Sequence, residues 1–95
     1  MLYGGPGDDT LSGGGGDNIF VFDAESSGND LIRGFRPGHD RVDIYKPGND
    51  FAAIRSSAID TPKGVVVTLA DESSITFEGY SAAQIKDNWF ALPHQ

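Results

Sequence analysis

The chain has 95 residues, 14 of them acidic and 7 basic, for a net charge of −7, and it contains no cysteine. A chain of this length makes one domain and buries only about 60–65 per cent of the surface its unfolded form exposes, so without disulfides its extra stabilisation has to come from elsewhere, bound metal being the obvious source. The negative field and the lack of a basic patch interleaved with aromatics argue against nucleic acid as a partner, and no apolar run of about eighteen residues is present to span a membrane as a helix.

The acidity is uneven, with nine Asp/Glu and four Lys/Arg in residues 1–50 and five and three in residues 51–95. A compact acidic first half repels itself, and divalent cations relieve that repulsion. Within it, residues 4–21 form two nine-residue units back to back, Gly4-Gly5-Pro6-Gly7-Asp8-Asp9-Thr10-Leu11-Ser12 and Gly13-Gly14-Gly15-Gly16-Asp17-Asn18-Ile19-Phe20-Val21. Glycines at the first, second and fourth positions let the backbone take left-handed conformations that turn carbonyl oxygens toward a common point. The sixth positions, Asp9 and Asn18, add side-chain oxygens, and a hard cation such as calcium takes six to eight oxygen ligands. Leu11 and Phe20, two places later, belong to short strands that point into the body of a coil. A glycine-rich acidic stretch is more often a flexible linker, but a linker has neither a fixed nine-residue period nor an apolar residue at the eighth position of both units.

Both units follow the pattern G-G-x-G-x-D-x-U-x, with U a large apolar residue, and resemble the calcium-binding nonapeptides of RTX (hemolysin-type) repeat proteins. The resemblance implies a parallel β-roll in which successive repeats lie on opposite sides, so that each calcium sits between loops two repeats apart. Two repeats alone cannot close a site, and degenerate copies come next in Ser27-Gly28-Asn29-Asp30-Leu31-Ile32 and Pro37-Gly38-His39-Asp40-Arg41-Val42. The implied ligand set is Gly5, Gly7, Asp9, Gly14, Gly16, Asn18, Ser27, Asp30, Pro37 and Asp40, with Asp9 paired to Asp30 and Asn18 to Asp40. Two departures separate the pairs. Asn18 stands where aspartate is usual, and Arg33-Gly34-Phe35 stands where an acidic residue often precedes the phenylalanine. The Asp9/Asp30 site therefore ranks above the Asn18/Asp40 site.

Ile19-Phe20-Val21-Phe22 reads as a strand, residues 23–30 as a polar loop, and Leu31-Ile32 and Val42-Asp43-Ile44 as further strands around the turn Arg36-Pro37-Gly38. Lys46-Pro47-Gly48-Asn49 breaks the pattern, and Asp50 is placed to cap a short helix with Phe51, Ile54 and Ala58 at helical spacing. Thr61-Pro62-Lys63-Gly64 leads into a β-branched strand with Val65, Val67 and Leu69 on one face. Asp71-Glu72-Ser73 then turns the chain back through Ser74-Ile75-Thr76-Phe77 as a hairpin. Ser81-Ala82-Ala83-Gln84 has the spacing of a capping box ahead of a terminal helix lined by Ile85 and Trp89. The expected fold is mainly β, a short parallel β-roll with a C-terminal β-hairpin and short-helix cap. Residues 1–95 form a single module, with β-roll rungs over 1–45 and a capping region with short helix, hairpin and terminal helix over 46–95.

The last third, Gly64-Val65-Val66-Val67-Thr68-Leu69-Ala70-Asp71 through Trp89-Phe90, resembles the C-terminal end of secreted RTX proteins, serralysin-type metalloproteases included. This likeness implies a calcium-binding C-terminal module of a larger secreted bacterial protein, unfolded in low-calcium cytosol and folding outside the cell. Its partners would be calcium ions, an upstream domain and a type I secretion exporter. A chain that starts three residues ahead of its first repeat is expected to be a piece of a longer one. Trp89, Phe90 and Leu92 are candidates for the secretion signal, and their plainer role is to close the open edge of the roll. The alternative is a polysaccharide (alginate-type) binding module, whose glycan face would have to be drawn from Arg33, Arg36, Arg41, Arg55 and Tyr45, against the net negative charge. An adhesin's terminal domain is a third possibility.

Catalysis is not expected of this chain. It has no Gly-Lys-Ser/Thr phosphate loop and no His-Glu-x-x-His zinc motif. The EF-hand ligand order is missing, and so is a nucleophile elbow. His39 and His94 have no cysteine to join them in a zinc site.

Overall fold

A computed structural model describes residues 2–3, 7–22, 28–36, 38–45, 51–70 and 72–91. In chain order the elements are β1 (Leu2–Tyr3), β2 (Thr10–Ser12), β3 (Ile19–Phe22), β4 (Asn29–Arg33), β5 (Arg41–Ile44), helix α1 (Phe51–Ser57), β6 (Ile59–Asp60), β7 (Gly64–Thr68), β8 (Ser74–Glu78) and β9 (Phe90–Ala91). The first five strands alternate between two sheets. One sheet runs β1-β3-β5-β9 and the other β2-β4-β8-β7-β6. Neighbours along the coil are parallel, with Phe20 opposite Val42 and Leu11 opposite Ile32. This is the β-roll arrangement, in which each nonapeptide contributes one strand and one turn.

The roll closes through an antiparallel hairpin. β8 pairs parallel to β4 on one edge and antiparallel to β7 on the other, with Gly64 opposite Glu78 and Thr68 opposite Ser74. Val65, Val67 and Leu69 are buried, as their alternation predicts. Helix α1 buries Ile54 and docks on the hairpin where the Thr68 N–H donates to Ser57 Oγ at 2.9 Å. Asp50, the expected cap of this helix, lies outside the described residues, as does Leu92.

The terminal helix is not formed. Its capping sequence does act locally, because the Ser81 N–H donates to Gln84 Oε1 at 2.9 Å. Beyond Ser81, however, the chain makes two 3-10 turns, Ala82–Gln84 and Asp87–Trp89, and then enters β9. β9 adds to β5, with Phe90 opposite Val42, and covers a sheet edge that would otherwise be open to pairing. Trp89 and Phe90 are thereby buried, which is the closing role expected of them.

Phe20, Phe22, Ile32, Phe35, Val42, Ile44, Ile75 and Phe77 fill the space between the sheets together with Ile85 and Trp89. Phe35 is the hub. Its ring lies 5.0 Å from Trp89 and 5.2 Å edge-on to Phe77, while its carbonyl accepts the Tyr80 hydroxyl at 2.6 Å. Burying a phenylalanine side chain contributes about 1.5–3 kcal/mol, so this seam stabilises the rungs from β3 onward. The first two strands lack that support: Leu2 and Leu11 are only partly buried against the core. The turns between β2 and β4 are where another source of stability counts most.

Candidate metal centre

The turns at one end of the roll bring the predicted pairs together. Between the loop ahead of β2 and the loop ahead of β4, the Asp9 N–H donates to Asp30 Oδ1 at 2.9 Å and the Leu31 N–H to the Asp9 carbonyl at 2.8 Å. The Asn29 N–H donates to Asp8 Oδ1 at 2.8 Å. Asp30 is only 2% exposed. Asp9 Oδ2 is buried and has no hydrogen-bond partner, the one such side-chain atom among the described residues. An orphaned buried acceptor costs about 1–3 kcal/mol, more when charged, and a carboxylate oxygen in that state beside a second buried carboxylate fits a cation.

Gly28 holds this geometry. At φ +89°, an added Cβ would lie 2.6 Å from Asp8 Oδ1 and 2.7 Å from the Gly7 carbonyl oxygen, so only glycine lets the two loops approach. Gly7, Gly14 and Gly16 have positive φ as well. Gly5, Ser27 and Pro37 lie outside the described residues. Among the described residues no three His, Cys, Asp or Glu side chains come together, so a cation at Asp9 and Asp30 would draw most of its oxygens from backbone carbonyls. That suits a hard ion of high coordination number and not zinc, which takes nitrogen and sulfur ligands.

On the other side of the roll, Asn18 and Asp40 also meet, but the Asp40 oxygens are taken. Asp40 is 4% exposed. Its Oδ1 accepts the Asn18 N–H at 2.8 Å and Asn18 Nδ2 at 3.3 Å, and its Oδ2 accepts the Arg36 N–H at 2.9 Å. The Gly16 carbonyl accepts Arg36 Nη2. Asn18 Nδ2 also lies 3.4 Å from the Gly16 carbonyl oxygen and 3.5 Å from that of Gly15. With acceptors all around it, the amide must present its NH2 and not its oxygen to the loop. The donor set here does not fit a metal ion. Asp17 and His39 pair at 3.3 Å on the exposed rim of this loop, where an ion pair contributes little. Sequence reasoning took Arg36 as part of a turn and as a candidate for the glycan face, not as a partner of this loop; an arginine four residues ahead of Asp40, with asparagine in the partner loop, was the available signal.

The arginines proposed for a glycan face are all engaged within the chain. Arg33 pairs with Glu78, Arg36 with Gly16, and Arg55 Nη1 reaches the Ile85 carbonyl at 3.5 Å. Arg41 pairs with Asp43, a carboxylate only 2% exposed that also accepts the Tyr45 hydroxyl at 3.1 Å. That hydrogen bond, and then the Asp43 charge, raise the Tyr45 pKa above the ordinary tyrosine value of 10.0. Because the folded value lies above the unfolded one, the stabilisation is complete below the ordinary tyrosine pKa and is lost as pH rises through the raised one. Absorbance titration should therefore show one tyrosine ionising later than in Asp43→Asn; an unchanged titration in that variant would show that Asp43 does not control it.

Residues 1–25 match a family model described as the RTX calcium-binding nonapeptide repeat (4 copies). No curated protein matches the chain. Repeats of this family bind calcium, a hard ion that takes oxygen ligands. Residues 1–25 thus carry the calcium-binding nonapeptide repeat of RTX proteins, and the mainly β coil continues from them.

Proposed function

We propose that this chain is the C-terminal calcium-binding module of a larger secreted bacterial RTX protein, one that completes its fold on calcium outside the cell and carries or adjoins the type I secretion signal. The observation that carries the reading is the orphaned Asp9 Oδ2 beside the buried Asp30 carboxylate. Asp9 and Asp30 are the ligand side chains, with backbone carbonyls of the same two loops, Gly7 included, completing the set. Bound calcium supplies the positive charge that two adjacent carboxylates in an acidic half-chain call for. The thinly packed β1 and β2 are the elements that gain from it.

For a site with a dissociation constant of about 0.1 mM, typical of extracellular modules, about 1 mM calcium adds roughly 1.4 kcal/mol by mass action. In a domain of this size that moves the melting temperature by several degrees. The low calcium of the cytosol would leave the first rung without this support during export, and the upstream domain and exporter are the partners that such a route requires. No described helix is long and apolar enough to cross a membrane. The test is a calcium titration followed by circular dichroism and melting temperature, with EGTA reversal. A rise in melting temperature that EGTA undoes is expected; no change at millimolar calcium sinks the reading.

A further inference from the structure

We propose that Arg36 takes the place of a metal ion at the Asn18/Asp40 loops, so that this turn of the roll closes without calcium. The inference rests on the calcium reading of the Asp9/Asp30 loops only for its contrast, since the contacts of Arg36 are independent of it. The guanidinium reaches across to the carbonyl of Gly16 twenty residues back, while the backbone N–H of the same residue is held by Asp40 Oδ2. One residue thus joins the glycine loop ahead of β3 to the loop ahead of β5 through both side chain and main chain. Across the Asp9/Asp30 loops, by contrast, backbone N–H groups make the joining hydrogen bonds, and the Asp9 Oδ2 oxygen is left bare.

Charge divides in the same way. The sixth positions of the first loop pair are two carboxylates, Asp9 and Asp30, which match a divalent ion. Those of the second are one amide and one carboxylate, Asn18 and Asp40, which match a single guanidinium charge. Asn18 completes the exchange, because its NH2 donates where an aspartate oxygen would accept. Asp17 and His39, the other titratable groups at this turn, face solvent. Putting a metal here requires Arg36 to leave the Gly16 carbonyl and Asn18 to reverse its amide.

Two measurements decide it. In EGTA, Arg36→Ala should lower the melting temperature by about 4–8 °C, the shift expected from losing one charge-assisted contact in a domain of this size, and Arg36→Lys should restore only part of it. An unchanged melting temperature overturns the proposal. By calorimetric titration with calcium chloride, the intact chain should show no binding step that Asp40→Asn abolishes and Asp30→Asn spares. Asn18→Asp combined with Arg36→Ala should gain a step. A step in the intact chain that depends on Asp40 and not Asp30 also overturns it. Absence of any calcium step in the intact chain tells against the calcium reading instead, and the EGTA measurement then decides the role of Arg36 alone.

Discussion

Asp30→Ala is expected to weaken calcium binding at least tenfold and to lower stability even in EGTA, whereas Asp40→Ala is expected to lower stability with a smaller change in calcium affinity. Asp30 is 2% exposed and its Oδ1 accepts the Asp9 N–H. Truncation therefore does two things. It leaves a donor unpaired at a cost of about 1–3 kcal/mol, and it removes one of the two carboxylates, Asp9 and Asp30, assigned to the cation. A tenfold loss in affinity corresponds to about 1.4 kcal/mol, a modest demand for deleting a charged ligand. Asp40 has the same kind of hydrogen bonds, to the Asn18 and Arg36 N–H groups, but its loop already holds an internal cation. The two variants should thus resemble each other in melts without calcium and separate in calcium titrations. Equal or reversed losses of calcium affinity would overturn the ranking of the two loop pairs.

The roll was legible because its signals are local and repeated. Each nonapeptide carries its own turn and its own strand, and the resemblance that this period carries implies the alternation of β2, β3, β4 and β5 between two sheets. The partnering of Asp9 with Asp30 and of Asn18 with Asp40 came from the resemblance to RTX repeats, which implies stacked loops two repeats apart, and hydrogen bonds join both pairs of loops. The hairpin was equally visible in the β-branched run of β7 and the polar turn behind it.

The features that escaped notice depend on contacts between distant residues. Ile85 and Trp89 stand four apart, which suits one helical face, yet two 3-10 turns place both indoors, and Phe90 pairs beside β5 instead of adding a helical turn. Phe35 obeys neither the strand nor the repeat period. Gly34, at φ +71°, redirects the chain after β4 and helps carry the phenylalanine in among Phe20, Phe77, Tyr80 and Trp89. Arg36 looked like a turn residue because the carbonyl it seeks is twenty residues away. Its departure from the repeat pattern was readable, but the contact that compensates for that departure was not.

Gly28→Ala is expected to destabilise the chain by about 3 kcal/mol and to abolish calcium binding at millimolar concentration. Part of the loss is conformational: a side chain at φ +89° costs about 1–2 kcal/mol. The rest is steric. The new Cβ would meet the Gly7 carbonyl oxygen at 2.7 Å and its carbon at 2.8 Å, and backbone cannot swing aside as a flexible side chain can. Relief requires the loop of Gly7, Asp8 and Asp9 to move away from that of Asp30, lengthening the Asp9 to Asp30 and Asn29 to Asp8 hydrogen bonds. Gly38→Ala is the matched control. It has nearly the same φ, +88°, but nothing within 4 Å of the added carbon, and it lies in the loop that Arg36 closes. It should cost only the conformational share and leave calcium affinity unchanged. Thermal melts of both variants, with EGTA and with calcium, separate the two contributions. If Gly28→Ala lost no more than Gly38→Ala in either condition, the close approach of the Gly7 and Gly28 loops would not be what shapes the calcium site.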